Sequence, residues 1–134
     1  MKYLLDTNTA QAYLQGNKQI KIRSDDVNRQ GSRVGISVTV LAELSAGIEN
    51  SQTRDRNMVL LKQAMKSLYL WPFDEACAYQ YGRITASLKR QGRLIGSVDV
   101  MIAASVIALS PYTLVTTDSD FQVIPGLQVE NWFT

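Results

Sequence analysis

Residues 98–109, VDVMIAASVIAL, are the stretch of sequence that most limits the possible fold. In a helical projection this stretch is apolar on nearly every face. A helix that lacks a polar face must be covered on all sides, so we expect a central buried helix here and not an amphipathic surface helix. The remaining elements must therefore pack around it.

Short β-like runs alternate with helical stretches along the rest of the chain. Strands are predicted at residues 2–5, 34–38 and 113–117, with a weaker candidate at 128–132. Helices are predicted at residues 39–50 and 54–68 and between an N-cap at Asp74 and a stop at Gly92, and residues 16–32 form either a short helix or a loop. Strands separated by helices favour a parallel sheet with helices on both faces. With 134 residues, of which 46% are hydrophobic, we expect one α/β domain spanning residues 1–134.

Composition excludes several kinds of site. The chain has no histidine, which rules out Ser-His or Cys-His nucleophiles, histidine acid–base catalysis and zinc sites that need imidazole. Its one cysteine, Cys77, cannot form an intrachain disulfide, and its apolar surroundings predict buried packing. If the protein is an enzyme, carboxylates are the obvious reactive groups.

The absence of a long apolar run predicts where the protein works. No run reaches the roughly 18–20 residues that span a bilayer, and the N-terminus lacks the apolar core of a signal peptide. We therefore expect a cytoplasmic protein with no membrane association.

Charge is distributed unevenly. All 14 Lys and Arg residues lie at or before Arg93, whereas residues 94–134 contain four acids and no base. This asymmetry is compatible with a basic rim beside an acidic centre, as in a protein that handles a polyanion through a metal ion.

Four acids fall where a parallel sheet would bring them together. Asp6 follows the first strand, Glu43 lies early in the helix after the second, Asp99 opens the buried helix and Asp118 follows the strand at 113–117. Ligands of open parallel sheets bind beyond the carboxyl ends of the strands. We therefore expect these carboxylates at one edge of the sheet.

Each acid also has an ordinary structural interpretation. Asp6 would stabilise the following helix by about 1 kcal/mol as an N-cap, and Asp99, two residues after the potential cap Ser97, would complement the helix dipole. Asp118 and its neighbour Asp120 are typical turn residues. Glu43 fits no capping box, which needs a spacing of three residues.

Together the acids favour a metal site. Two carboxylates about 5 Å apart repel by roughly 3 kcal/mol at an effective dielectric near 20, so a cluster needs raised pKa values or a bound cation. Oxygen ligands without His or Cys suit Mg²⁺ or Mn²⁺. Such an ion neutralises charge on a phosphate and activates water, so the pattern predicts a metal-dependent phosphodiesterase.

Four motifs in order resemble one family. They are LLDTN at 4–8, ISVTVLAEL at 36–44, IGSVDVMIAA at 95–104 and LVTTDSDFQVIPGL at 114–127. Together they resemble the PIN-domain ribonucleases, and specifically the VapC toxins of toxin–antitoxin pairs. The resemblance runs from residue 2 to about residue 132.

The resemblance implies a three-layer α/β/α fold with a mainly parallel sheet and a specific set of site residues. Mg²⁺ or Mn²⁺ would be held by Asp6, Glu43, Asp99 and Asp118, with Asn8 and Thr116 orienting carboxylates from the second shell. Asp120 would be an auxiliary acid, and the compact spacing to Phe121 leaves open whether Asp118 or Asp120 faces the ion.

It also implies an activity and partners. Asp99 or Asp6 would help to activate a water that hydrolyses RNA phosphodiester bonds. Phosphates would be contacted by the basic residues Arg83, Lys89, Arg90 and Arg93. The partners implied are a VapB-type antitoxin, which inserts a basic or aromatic side chain into the acidic pocket, and a second copy of the chain. Tyr69, Trp71 and Phe73 would pack either in such an interface or at the end of a strand.

Two other classes stay open. A haloacid-dehalogenase-type phosphatase also begins with an aspartate after its first strand but needs a second two positions later, where this chain has Asn8. A catalytically silent PIN-like module that binds nucleic acid or protein should have lost one of the four acids. Metal-dependent cleavage would discriminate between these classes.

Overall fold

A five-stranded sheet forms the centre of the molecule, and all its strand pairs are parallel. The computed structural model describes residues 1–134. The strands are β1 (Lys2–Leu5), β2 (Arg33–Ser37), β3 (Tyr69–Trp71), β4 (Tyr112–Val115) and β5 (Val129–Glu130). Their order across the sheet is β3-β2-β1-β4-β5. Because the strands are parallel and β1 is central, their carboxyl ends meet along one edge, beside the residue that follows β1.

Six helices cover the sheet. They are α1 (Thr7–Leu14), α2 (Lys18–Arg29), α3 (Val38–Glu49), α4 (Arg54–Ala64), α5 (Glu75–Arg90) and α6 (Ser97–Ala108), and a short 3₁₀ helix spans Ser119–Val123. Right-handed crossovers place α1–α4 on one face and α5–α6 on the other. In agreement, α1 packs against α2, α3 and α4, whereas α5 packs mainly against α6. The predicted three-layer α/β/α fold is confirmed.

The apolar segment at 98–109 lies almost entirely in α6, and its inward face is buried; Val98, Met101 and Ile107 are only partly buried, so the helix is less completely covered than predicted. Ile102, Ala103 and Ala104 are completely inaccessible, and Val106 nearly so. They belong to a core that includes the inward-facing residues of β1, β2 and β4. This burial fixes the position of α6, and therefore of the acid in its first turn.

The predicted ends of α5 are also confirmed. The Asp74 carboxylate accepts a hydrogen bond from the Cys77 amide at 3.1 Å, as an N-cap does. Gly92 lies just beyond the helix with φ of +69°, a conformation that favours glycine. Cys77 is fully buried, so its predicted packing role is confirmed.

Strand β3 was not predicted as a strand. Its side chains divide: Trp71 is buried and packs edge-on against Tyr112 at 5.0 Å between ring centroids, whereas Tyr69 is exposed. Gly35 of β2 allows β3 to approach, because a Cβ there would lie 2.2 Å from the Tyr69 carbonyl oxygen. The aromatic residues of this segment therefore serve partly as strand-end packing, which was one of the two alternatives.

Several other details differ from expectation. Helix α4 ends at Ala64 and not at residue 68. Residues 18–29 form a full helix, α2, which begins at the N-cap Asn17. Strand β4 ends at Val115, so Thr116 lies just beyond it. Ser97 is not a cap, because α6 begins at Ser97 itself and its N-cap position is Gly96, which has no side chain to offer.

None of the helices combines the length and apolarity needed to cross a membrane.

Candidate functional site

Asp6 lies at the tip of the central strand, where the carboxyl ends of the strands meet. Its backbone amide continues the sheet by donating to the Val115 carbonyl at 3.0 Å. Its Oδ1 accepts from the Thr9 amide at 2.9 Å and so caps α1. The side chain is only 5% exposed, so the carboxylate is held rigidly at the edge of the sheet. The capping interpretation is therefore correct, and it leaves Oδ2 to a second partner.

Thr116 connects the first acid to the last. Its Oγ1 donates to Asp6 Oδ2 at 2.6 Å and accepts from the Asp118 amide at 3.0 Å. Thr116 is itself buried. One hydroxyl therefore sets the positions of the carboxylate after β1 and of the backbone that carries the carboxylate after β4. The structure thus places Thr116 in the orienting position that the resemblance implied.

Glu43 reaches the same edge from the second turn of α3. It is half-buried and accepts a hydrogen bond from the Thr7 hydroxyl. Thr7 was not singled out in the sequence, although it lies inside the LLDTN motif. Its contact with Glu43 joins α1 to α3 directly beside Asp6. The two residues are 36 positions apart in the sequence, so no local pattern predicts this hydrogen bond.

Asp99 has the most strongly perturbed environment among these acids. It lies half-buried in the first turn of α6. Burial raises the pKa of Asp99, and four neighbouring carboxylates raise it further, in the decreasing order Asp118, Glu43, Asp6 and Asp120. All the predicted acids therefore act electrostatically on one position. Such a perturbed carboxyl among like charges is typical of functional sites.

The donor set fits a hard divalent cation. No three of these carboxylates converge closely enough to ligate one ion together. Mg²⁺, however, is usually bound through one or two carboxylates and keeps several waters. Carboxylates that surround the ion, with some of them contacting it only through its waters, therefore suit Mg²⁺. A cation among them would also relieve the repulsion that raises the pKa of Asp99. Asp6, Glu43, Asp99 and Asp118 are the residues that could hold it.

Two of the predicted residues lie further out. Asn8 is exposed and makes no hydrogen bond to Asp6, whose partners are instead Thr9 and Thr116. Asp120 is exposed, and its amide donates to Asp118 Oδ1 at 2.9 Å. Because Asp118 is half-buried and has the larger effect on Asp99, the geometry favours Asp118 over Asp120 as the acid that faces the site.

The predicted basic residues are exposed and lie in the second half of α5 and in the connection that follows it. Arg83, Lys89 and Arg90 lie on α5, and Arg93 lies in the connection that leads to α6. That connection spans only residues 91–96, so the end of α5 lies at the same end of this helix pair as Asp99. None of the four forms an ion pair. They remain available to an anionic ligand.

Comparison with known proteins assigns the chain to one family. The PIN domain family matches residues 3–127. Ribonuclease VapC2 of Rickettsia felis is 32% identical over 133 residues, with 98% of each chain covered. The chain belongs to the PIN-domain family. A further relative of this PIN domain is the tRNA(fMet)-specific endonuclease VapC of Salmonella typhimurium, 33% identical over 132 residues with 98% of each chain covered.

Solved structures agree with this assignment. The PIN domain described here superposes with a TM-score of 0.92 on a chain of VapBC2 from Rickettsia felis bound to a DNA fragment from its promoter, at 30% identity and with 98% and 99% of the two chains covered. It superposes with a TM-score of 0.89 on DNA-bound VapBC from Salmonella typhimurium, at 31% identity and 98% coverage of both chains. The predicted resemblance to PIN-domain proteins of the VapC type is confirmed.

Proposed function

We propose that this PIN domain is the toxin of a VapBC-type toxin–antitoxin pair and acts in the cytoplasm as a Mg²⁺- or Mn²⁺-dependent endoribonuclease. The observation that carries the proposal is the environment of Asp99, whose pKa is raised by burial and by the carboxylates of Asp118, Glu43 and Asp6. A site of this kind suits a cation and a phosphodiester. The names of the relatives, ribonuclease and endonuclease, support RNA as the substrate.

Each residue has a distinct role in the proposed reaction. A bound divalent ion would supply charge neutralisation at the scissile phosphate and acidify water. Asp6, Glu43, Asp99 and Asp118 would surround that ion and hold it directly or through its waters, and Thr116 keeps the residues after β1 and β4 in register. Asp99 would also accept the proton of the attacking water, because it lies half-buried at the position on which all the other predicted acids act.

Substrate binding would use the exposed cations beside the acids. Arg83 and Arg90 are seven residues apart on α5 and so lie on one face, about 10 Å apart along the helix axis. Together with Lys89 and Arg93 they would contact RNA phosphates, which supply most of the affinity of such complexes and make it salt-dependent. The acidic centre then acts on the one phosphate that reaches it.

The proposed partner is a VapB-type antitoxin. Both structures described above are VapBC complexes, which supports a cognate antitoxin for this chain. A cluster of carboxylates is an electrostatic target for a guanidinium, which binds them through charge-assisted hydrogen bonds. We also propose a homodimer, for which the exposed aromatic and aliphatic side chains of β3, Tyr69 and Leu70, offer apolar surface.

Cleavage of RNA by antitoxin-free protein tests the proposal. Transfer and ribosomal RNA are incubated with the wild-type protein in Mg²⁺, Mn²⁺ or EDTA, beside Asp99→Asn and the control Asp25→Asn. Asp25 is an exposed acid of α2 that forms no ion pair, so the control changes charge by the same amount away from the site. We expect fragments with metal from the wild-type and control proteins only.

The same experiment separates the alternative functions. A folded wild-type protein that binds RNA but cuts none of it with either metal would indicate a catalytically silent binding module. Cleavage that persists in EDTA or in Asp99→Asn would contradict the proposed roles of the cation and of Asp99. The identity of the fragments would give the first information on the target RNA.

A further inference from the structure

A cleft continues from the acidic site along α1, α3 and α4. Its cavity has a volume of about 170 Å³ and begins at the bonded pair Thr7 and Glu43. Both α1 and α3 start at the edge where the strands end, so the cleft leads away from the proposed cleavage centre. Since one water needs only about 10–15 Å³, the space holds a group much larger than a solvent molecule or an ion.

Two stripes of residues spaced by four form the facing walls of this cleft. On α1 they are Thr7 and Gln11, continued by Gln15 just beyond the helix, and on α3 they are Glu43 and Gly47. Residues four apart lie on the same helical face, one turn or about 6 Å along the axis. From Thr7 to Gln15 the cleft therefore runs about two turns, or about 12 Å, which is long enough for one nucleobase.

The lining combines amide groups with an aliphatic floor. Leu14, Leu44, Ile48 and Leu60 supply the apolar surface, and Gln11, Gln15 and Asn57 supply amides. The amide nitrogen of Asn57 is used on Ser51 and Thr53 at 3.3 and 3.0 Å, which directs its carbonyl oxygen to the role of acceptor. The lining includes no basic side chain and only one acidic side chain, that of Glu43. Apolar faces and a few polar groups are what a flipped-out nucleobase requires.

Gly47 gives a second and independent indication. It lies inside helix α3, where glycine destabilises a helix relative to alanine. A Cβ built at this position meets no atom within 4 Å, so packing within the fold does not require glycine. Because Gly47 lines the cleft, a side chain there would enter it. Glycine at this position therefore leaves the cleft unobstructed.

We propose that this cleft binds one nucleobase of the RNA substrate next to the scissile phosphate and so determines the cleavage sequence. The inference rests on the proposed ribonuclease function and extends it to substrate selection. Gln11, Gln15 and Asn57 read the hydrogen-bonding edge of the base, and the leucines contact its faces. Gly47 provides the space into which the ring fits.

The test fills the cleft and uses a matched glycine as control. Gly47→Leu places an aliphatic side chain in the cavity. Gly82→Leu makes the same change in α5, where glycine is also exposed and an added Cβ also meets nothing within 4 Å. Thermal melting checks that both variants fold. If Gly47→Leu does not fold, Gly47→Ala serves as the variant with a smaller obstruction.

Two readouts are compared. In the first, antitoxin-free protein with Mn²⁺ cuts RNA of randomised sequence and the product ends are sequenced. We expect one base enriched at a fixed position beside the cut for the wild-type and Gly82→Leu proteins. For Gly47→Leu, enrichment disappears and kcat/KM on the preferred sequence falls about tenfold or more, the loss expected when one base no longer binds.

The second readout does not depend on catalysis. RNA that carries photoreactive bases is crosslinked to the protein in EDTA, and we expect crosslinks on the peptides of Gln11, Gln15 or Asn57 that Gly47→Leu removes. Crosslinks without cleavage in the wild type would refute the ribonuclease function and retain the base pocket. Cleavage with unchanged base enrichment in Gly47→Leu would overturn the pocket and retain the function. The pocket is also overturned if Gly47→Leu only weakens antitoxin binding, or if no crosslink falls on these peptides.

Discussion

Replacing Thr116 by valine tests whether one hydroxyl organises the acidic site. Valine has nearly the shape of threonine, so the packing is preserved while the hydroxyl is lost. In the structure this hydroxyl donates to Asp6 Oδ2 at 2.6 Å and accepts from the Asp118 amide at 3.0 Å. The variant therefore removes two hydrogen bonds and leaves a buried carboxylate oxygen without a donor.

The cost follows from these two bonds. A hydrogen bond to a charged group contributes about 1.5–3 kcal/mol, and one between neutral groups contributes about 0.5–1.5 kcal/mol. Asp6 is 5% exposed, so water does not readily replace the lost donor. We expect Thr116→Val to lower the free energy of unfolding by about 2–4 kcal/mol. Activity should fall as well, because the carboxylates after β1 and β4 are no longer held in register.

Thr116→Ser is the matched control. Serine keeps the hydroxyl and loses only one methyl group, which costs about 1 kcal/mol. Urea denaturation in EDTA, together with cleavage of RNA with Mn²⁺, measures both variants. The reasoning predicts that the valine variant is the less stable and the less active of the two. Equal stability of the variants, or a valine variant with wild-type cleavage, would refute the role assigned to this hydroxyl.

Three further substitutions test the site and the sheet. Asp99→Asn should abolish cleavage yet raise the free energy of unfolding in EDTA, and more so at pH 8 than at pH 4. The pKa of Asp99 is raised in the folded protein, so the wild type loses stability as the pH rises through that pKa. Denaturation at both pH values measures the difference. Asp6→Asn should abolish cleavage at a smaller stability cost than Asp6→Ala, because asparagine still caps α1 and alanine loses about 1 kcal/mol; equal denaturation midpoints would contradict this. Gly35→Ala should lower the unfolding free energy by about 1–3 kcal/mol, since its Cβ would lie 2.2 Å from the Tyr69 carbonyl oxygen; an unchanged midpoint would show that β3 shifts without cost.

The elements that sequence predicted best are those with a strong local pattern. Strands β1 and β2 and helices α3 and α6 have dense apolar or β-branched runs, and their bounds agree with expectation within one or two residues. The sequence of α2 does not distinguish a helix from a loop, because only three of its residues are buried and its apolar stripe is therefore sparse. Strand β3 has three residues, two of them exposed, so no alternation identified it. It exists because β2 offers a partner beside Gly35.

Sequence also placed the acids at one edge of the sheet, because topology brings together the residues that follow parallel strands. The sequence did not predict the individual side-chain contacts. Thr7 bonds to Glu43 across 36 residues, and Thr116 bonds to Asp6 across 110, so both depend on how helices and strands pack in three dimensions. Asn8, which lies next to these residues in the motif, is exposed instead. Position in a motif therefore did not determine which side chain supports the carboxylate.

Titration of the antitoxin-free protein with Mn²⁺ tests the central claim, that these carboxylates hold a divalent cation. Binding is followed by calorimetry or by the paramagnetic resonance of the free ion for the wild-type, Asp99→Asn and Asp25→Asn proteins. The account predicts saturable binding to the wild-type and Asp25→Asn proteins, and binding weakened about tenfold or more in Asp99→Asn, which loses one charged ligand. Absence of saturable binding to the wild type, or equal affinity in all three proteins, would contradict it.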